Sequence, residues 1–182
     1  MRVVLASASP RRLQLLQACG LLVEVRAPCV DESIRAGEPP GEMVLRLAVA
    51  KAKTVAGLDL VIGADTTVVL DGVSLGKPPD VAAAMAMIAS LSGRAHDVLT
   101  GFCVRRTGQT RSGVVRTKVV FRALSREEIT AYVATGESFD KAGGYGIQGL
   151  GGALVDTVQG SYPNIVGLPV REVLAAIREL SV

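Results

Sequence analysis

The sequence predicts an α/β protein built on a mixed sheet. Nearly half of its residues are apolar, and with three Tyr, three Phe and no Trp the core has to be aliphatic. Val, Leu, Ile and Ala in that proportion suit buried parallel strands covered by helices. The first half of the chain alternates strand-like with helix-like runs, whereas its middle looks like a long hairpin, so parallel and antiparallel pairing must coexist. At 182 residues the chain favours one domain, or two intimately packed lobes.

Arg2 to Ala6 reads as the first strand. Ser9 then offers an N-cap, Pro10 suits the first helical position, and Gly20 closes the helix. Leu22 to Ala27 is a second strand, and Glu42 to Ala56 is helical up to Gly57. Leu60 to Ala64 is a buried strand, followed by another over Thr66 to Leu70 that turns at Asp71-Gly72. Pro79 and Asp80 introduce an alanine-rich helix that ends near Leu91. His96 to Arg106 and Gly113 to Ala123 form the hairpin around Thr107-Gly108-Gln109. Ser125-Arg126-Glu127-Glu128 is a capping box for a helix ending at Gly136. A glycine-rich segment, a short strand over Ala153 to Val158 and a last helix over Pro169 to Leu180 complete the chain.

Composition excludes several classes. The net charge of +3 comes without a long basic run, which argues against a nucleic-acid stripe and leaves room for a small anionic ligand. No apolar run approaches the ~20 residues of a membrane span. The N-terminal apolar stretch runs directly into Arg11 and Arg12, as a first strand does and a signal peptide does not. Cys19, Cys29 and Cys103 are odd in number and make no C-x-x-C pair, so free, mostly buried thiols are expected. With His96 as the one histidine, a structural zinc site lacks ligands.

Three segments carry chemistry. SASPRR, Ser7 to Arg12, places two arginines in a helical first turn, where the partial positive charge of the N-terminus favours acids instead. Either the pair is solvated and merely tolerated, or it meets an anion; strand, tight turn with Ser and helix start together make a phosphate-binding geometry. In GEMVLRLAVAKAKTVAG the apolar face runs through Val44, Leu47, Ala48 and Val55. Lys51 falls on that face, whereas Lys53 shares the outer face with Arg46. An inward lysine needs a partner or a wet cleft, unless it snorkels at the edge of the face. In LVIGADTTVVLDG an apolar run ends at Asp65, with Thr66 and Thr67 adding hydroxyls. A carboxylate at the carboxyl end of a strand can hold a divalent metal or take a proton from water, or it can bond its own backbone in a turn. Glu32 in VDES is a second acid, on this ground no better than Asp31.

Other patterns lead elsewhere. GVSLGKP, Gly72 to Pro78, is one residue short of a P-loop, and Pro78 replaces the Ser or Thr that would hold Mg²⁺. Lys77 stays of interest because glycine and proline fix the backbone around it. In KAGGYGIQGLGG, Gly144, Gly146 and Gly149 match a dinucleotide-loop spacing, yet the stretch lies late in the chain and does not follow the first strand. Its glycines allow close backbone approach to a ligand, with Lys141 supplying charge and Gln148 an amide, or they form a turn without one. Ser7 and His96 do not make a hydrolase triad, since no G-x-S-x-G occurs.

Taken together, these segments resemble the Maf family of nucleoside triphosphate pyrophosphatases. The resemblance rests on SASPRR at 7–12, the acid at 32 in VDES, RLAVAKA at 46–52, GADT at 63–66 and GKP at 76–78. It continues through H-x-V-x-T-G at 96–101, DKAGGYGIQG at 140–149 and NIVGLP at 164–169, in family order over essentially the whole chain. It implies a Rossmann-like mixed α/β sheet of the inosine-triphosphatase-like type, one domain over 1–182 with two lobes around a cleft. It also implies metal-dependent hydrolysis of a nucleoside triphosphate to the monophosphate and pyrophosphate. On this resemblance Ser7, Arg11, Arg12, Lys51, Lys77 and Lys141 grip the triphosphate. Glu32 and Asp65 bind a divalent cation, Mg or Mn; Asp65 is also the candidate base, and Gln148 lies near the nucleotide base. Such a cationic set neutralises a triphosphate, and metal and cations stabilise charge developing on its oxygens.

The DKAG-x-YGIQG form resembles the subgroup acting on dTTP and UTP, with modified pyrimidine nucleotides as an extension. Gly144 stands where alanine is common there, and Pro163 is unusual in SYPN. The expected setting is cytoplasmic, without nucleic acid or membrane, and a homodimer is compatible with it. The family is also linked to arrest of septum formation, so the competing expectation is a nucleotide-binding regulator of cell division with little turnover. Asp65, Glu32 and the basic set favour the enzyme, because a mere binder needs no positioned water.

Overall fold

β1 (Arg2–Ala6) reads RVVLA, an exposed arginine followed by four buried apolar residues, and it pairs in parallel with β2 (Leu22–Val25) and β3 (Val61–Leu70). In this computed structural model, which describes residues 2–57 and 60–181, the strands form one seven-stranded mixed sheet. Its order is β2-β1-β3-β5 (Ala95–Arg106)-β6 (Gln109–Phe121)-β7 (Val155–Gln159), with the short β4 (Val73–Leu75) antiparallel to β3. The mixed α/β expectation is met. The expected Leu60 falls just outside β3, and the two strands predicted around Asp65 are one strand of ten residues. Asp65 and Thr66 are its only half-buried positions. Their side chains find partners, so the backbone has no need to turn there.

The chain divides into two compact units, and β3, β5 and β6 contribute residues to each. The first comprises residues 1–66, 100–115 and 167–182. It contains α1 (Pro10–Ala18), α2 (Pro40–Lys53) and α6 (Val170–Leu180). On one face of its strands Val3, Leu5, Ile62 and Ala64 pack with Leu16 of α1 and Val173 and Ile177 of α6. On the other, Val4, Ala6 and Val61 pack with Ala48 and Ala52 of α2. α2 starts at Pro40, because Pro39 and Pro40 supply the preset φ of a helix start, and ends at Lys53, short of the predicted Ala56. Arg105 of β5 donates to the Ala52 and Val55 carbonyls at that end, at 3.2 and 3.1 Å.

Two glycines allow α2 to lie directly on the strands. A Cβ on Gly63 would stand 2.3 Å from the Ala48 carbonyl oxygen, and one on Gly101 the same distance from that of Val44. The backbones therefore touch without side chains between them.

The second unit comprises residues 67–99 and 116–166. It contains α3 (Val81–Leu91), α4 (Arg126–Ala134), α5 (Tyr162–Val166) and β7, which runs antiparallel to β6. Asp80 caps α3, and the Ser125–Glu128 capping box of α4 is formed in both directions. Thr107 and Gly108, both at positive φ, make the two-residue hairpin turn, so that Gln109 already belongs to β6. The one-turn α5 was not expected. Its signal was Ser161, which accepts from the Asn164 amide at 3.4 Å, followed by Pro163, which needs no donor at a helix start. The core packs Ile88, Leu91, Val98, Phe121, Val133 and Leu154.

His96, Phe121 and Tyr145 meet edge to face inside that core, and His96 Nε2 lies 2.7 Å from the Tyr145 hydroxyl. Cys103 is buried, which pushes its thiol up to about 11, whereas Cys19 and Cys29 are exposed, against the expectation of mostly buried thiols. Among the described residues no helix is long and apolar enough to cross a membrane.

Two outcomes follow. Gly63→Ala forces a methyl into helix backbone and should lower unfolding free energy by about 1–3 kcal/mol in urea titrations. Gly41→Ala in the same helix, with nothing within 4 Å, should be neutral. Burial lowers the His96 pKa from 6.5 to about 4. The unfolded chain then binds this proton more readily, so the contribution is complete above pH 6.5 and shrinks as the pH falls toward 4. It amounts to about 3 kcal/mol at most. Melting temperatures should fall over that window, and His96→Gln should flatten this part of the profile.

Candidate active site

Because side chains alternate along β3, Asp65 points to the α2 face with Gly63, while Thr66 points to the opposite face with Ile62 and Ala64. The close approach at Gly63 brings Lys51, one helical turn beyond Leu47, onto Asp65. Lys51 Nζ donates to Asp65 Oδ1 at 2.6 Å and pairs with Glu32 Oε1 at 2.7 Å. The lysine side chain is 7% exposed, Asp65 14% and Glu32 60%. The inward reading of Lys51 holds and snorkelling does not, while Lys53 is exposed as expected. A buried ammonium is tolerable here because two carboxylates neutralise it.

The ambiguity between Asp31 and Glu32 resolves by local chemistry. Asp31 accepts from the Ser33 amide at 2.9 Å and the Ser33 hydroxyl at 3.0 Å, ordering its own turn. Those bonds hold its carboxyl below the ordinary range. Glu32, the next residue, is the one that reaches Lys51.

Arg12 is 9% exposed. Its Nε donates to the Gly167 carbonyl at 2.8 Å, Nη1 to Ser7 Oγ at 3.0 Å and Nη2 to Thr66 Oγ1 at 3.1 Å. All three acceptors are neutral. Burial lowers its pKa, while the charges of Asp65 and Glu32 act the other way. Ser7 Oγ also accepts from the Ser9 amide at 3.2 Å, and Ser9 Oγ caps α1 from the Arg12 amide at 3.5 Å. SASPRR is thus a knot of short-range bonds with a guanidinium at its centre; Arg11, the other arginine of the pair, is half-buried. Thr66 Oγ1 lies 2.9 Å from Thr100 Oγ1. The Gly167 carbonyl and Thr100 were missed as site residues, although NIVGLP and H-x-V-x-T-G contain them.

Ser7, Arg11, Arg12, Glu32, Lys51 and Asp65 all belong to the first unit, and Lys77, Lys141 and Gln148 to the second. Within the second, the Gly143 amide donates to the Gly76 carbonyl at 3.0 Å, which ties the segment of Lys141 to that of Lys77. A Cβ on Gly143 would stand 2.6 Å from Val68, and one on Gly149 equally close to the Glu137 carboxylate. These glycines serve packing: residues 142–144 and 150–154 form 3₁₀ turns, and no dinucleotide-type helix follows. Lys141 folds over Gly146, donates to the Glu137 carbonyl at 2.8 Å and pairs with Asp140. Lys77 and Gln148 are exposed. A Cβ on Gly144 would stand 3.4 Å or more from its neighbours, but the residue is at positive φ, a conformation that alanine adopts at a cost.

Residues 2–180 match the Maf family profile, described as Maf-like protein. The chain belongs to the Maf family. It is 52% identical over 181 residues to a dTTP/UTP pyrophosphatase of Anaeromyxobacter dehalogenans, covering 97% of this chain and 93% of the relative. A dTTP/UTP pyrophosphatase of Geotalea uraniireducens is 50% identical over 98% of this chain and 94% of its own length. One of Moorella thermoacetica is 51% identical over 94% and 91%. In this Maf chain the motif glycines Gly63 and Gly101 have a structural reason, the seating of α2, and the motif residues Lys51 and Asp65 meet as its consequence.

The pair can be tested without substrate. Lys51→Met strands Asp65 and should cost about 3 kcal/mol of stability. Asp65→Asn leaves Lys51 with Glu32 and should cost less. The double variant should retain about 1–3 kcal/mol more than the sum of the two losses predicts. Strict additivity in denaturant titrations would separate the two residues energetically.

Proposed function

We propose that this chain is a nucleoside triphosphate pyrophosphatase that hydrolyses dTTP and UTP to the monophosphate and pyrophosphate. The carrying observation is Arg12, a buried cation whose three bonded acceptors are neutral oxygens, one of them Thr66, the residue next to the carboxylate of Asp65 that Lys51 pins. A buried charge without a bonded counter-charge is costly, and a phosphate supplies one. Family membership and the printed activity of the relatives support the same reading and favour pyrimidine nucleotides.

In this reading Ser7, Arg11, Arg12 and Lys51 hold phosphate oxygens. Lys51 fixes Asp65 through Oδ1, which leaves Oδ2 to take a proton from the attacking water. The water oxygen bonds to the α-phosphorus as the bond to the α,β-bridging oxygen breaks. That oxygen keeps the electron pair and departs with pyrophosphate, and Arg12 and Lys51 stabilise the developing charge. Lys77 and Lys141 are assigned to phosphate and Gln148 to the nucleotide base on the family pattern.

The donor set also fits a divalent cation. Among the described residues no three His, Cys, Asp or Glu side chains gather as a metal cage. However, Glu32 and Asp65 already converge on one cationic nitrogen, and Mg²⁺ commonly takes one or two carboxylates with the rest from water and substrate phosphates. Glu32 and Asp65 would hold Mg or Mn, which when bound supplies charge neutralisation for the phosphoryl oxygens. The setting proposed is cytoplasmic.

A panel of nucleoside triphosphates with Mg²⁺ or Mn²⁺ tests the proposal. dTTP and UTP should be cleaved well ahead of ATP and GTP, with pyrophosphate as product. Asp65→Asn should lose about 10²-fold or more in turnover. Release of orthophosphate and a diphosphate would contradict attack at the α-phosphorus, and near-wild-type turnover of Asp65→Asn would remove it as base.

A further inference from the structure

Residues 26–39, which carry Glu32, form no helix or strand. Such a stretch has little of its own to fix the direction of an exposed glutamate. At its start the Arg26 amide donates to the Leu5 carbonyl of β1 at 3.0 Å. Near its end, Arg46 on α2 grips it from the helix side. Arg46 Nε and Nη2 meet the two carboxylate oxygens of Glu38 at 2.5 and 2.7 Å, and Nη2 also donates to the Ser33 carbonyl at 3.1 Å. The Glu38 side chain is 9% exposed and Arg46 20%, so this fork is sheltered from water. The Glu38 carboxylate in turn accepts from the Arg35 amide at 3.4 Å, and the Glu38 amide returns a bond to the Arg35 carbonyl at 3.1 Å. Ser33, bonded by Arg46 through its carbonyl, is bonded through its amide by Asp31. Glu32 stands between these two fixed residues. Arg46 and Lys51 lie on the same helix, so one rigid element holds both the backbone beside Glu32 and the cation its carboxylate meets.

We propose that Arg46 is a positioning residue for Glu32: it staples the β2–α2 loop to α2 so that the Glu32 carboxylate is presented at the Lys51–Asp65 pair. The bidentate, planar fork matters, since it bonds Glu38 and the Ser33 carbonyl at once, which an ammonium cannot do in the same geometry. This inference rests on the proposed function for its consequence in turnover, while the staple itself does not depend on any substrate.

The experiment has an arm for each. Arg35 lies in the loop and offers trypsin a site there. In Arg46→Lys and Glu38→Gln, cleavage after Arg35 should accelerate about fivefold or more, because the loop opens without global unfolding. Melting temperatures should stay close to the wild type. In the same variants kcat for dTTP should fall about tenfold, with KM changed far less, as expected for a displaced catalytic-site group. In a Glu32→Gln background, Arg46→Lys should then lower kcat no further. Unchanged cleavage after Arg35 would overturn the staple. Losses that multiply in the double variant would overturn action through Glu32. Should the wild type hydrolyse no nucleotide, the proposed function fails, and the proteolysis still decides whether Arg46 holds this loop.

Discussion

Helix α2 touches the backbone of β3 and β5, and the depth of everything it carries is fixed by that contact. At Gly63 and Gly101 the strands present no Cβ, so the helix carbonyls of Ala48 and Val44 come as close as backbone allows. A helix resting on ordinary side chains would stand farther out, at the usual separation of packed layers. Lys51 would then reach toward solvent along its stem. Seated as it is, the helix places an ammonium where Asp65 and Glu32 neutralise it, and the desolvation cost makes such pairing necessary. The acid in the strand, the lysine on the helix and the glycines between them are one device.

Arg46 extends the device to the loop. Its place on the outer face of the helix leaves it half-sheltered and able to reach backward to Glu38 and Ser33, while Lys51, on the inner face, reaches Glu32, the residue before Ser33, and Asp65 of the sheet. A single α-helix thus aligns the strand that carries Asp65 with the loop that carries Glu32. Rigid elements hold side chains more closely than loops do, and here the loop residue borrows the helix's rigidity.

Much of this was legible from residue types. The capping box at Ser125, the Ser9 N-cap with Pro10, and the inward phase of Lys51 are local or periodic signals, and each is realised. Asp65 was legible as a candidate, but its place in the strand was misread: a carboxylate and a hydroxyl inside an apolar run look like a break until tertiary partners are known. The choice between Asp31 and Glu32 depended on which carboxylate bends back to Ser33, a matter of loop geometry that spacing does not encode. Gly167 was invisible as a site residue because it contributes a carbonyl, which every residue has. The glycine-rich stretch misled by its spacing; Gly143 and Gly149 are explained by Val68 and Glu137, distant in sequence and absent from any motif.

Lys51 and Arg12 show two ways of keeping a cation inside. Lys51 is neutralised by two acids and is electrostatically content without a ligand. Arg12 donates three of its five N–H groups to a carbonyl and two hydroxyls, so its hydrogen bonds are largely met while its charge is not. The lowered pKa expresses that imbalance, with burial outweighing the more distant Asp65 and Glu32. An anion arriving at Arg12 gains the interaction that the protein itself withholds, whereas one arriving at Lys51 must compete with carboxylates already in place. The same bonds make Arg12 structural, because it joins SASPRR to Thr66 and to the Gly167 carbonyl. Truncating it would therefore remove the phosphate contact proposed for it and also loosen the SASPRR turn, and the two effects part only when folding is measured beside binding. Lysine at this position would keep the charge and lose the fork, which is the comparison that weighs the guanidinium's geometry against its charge.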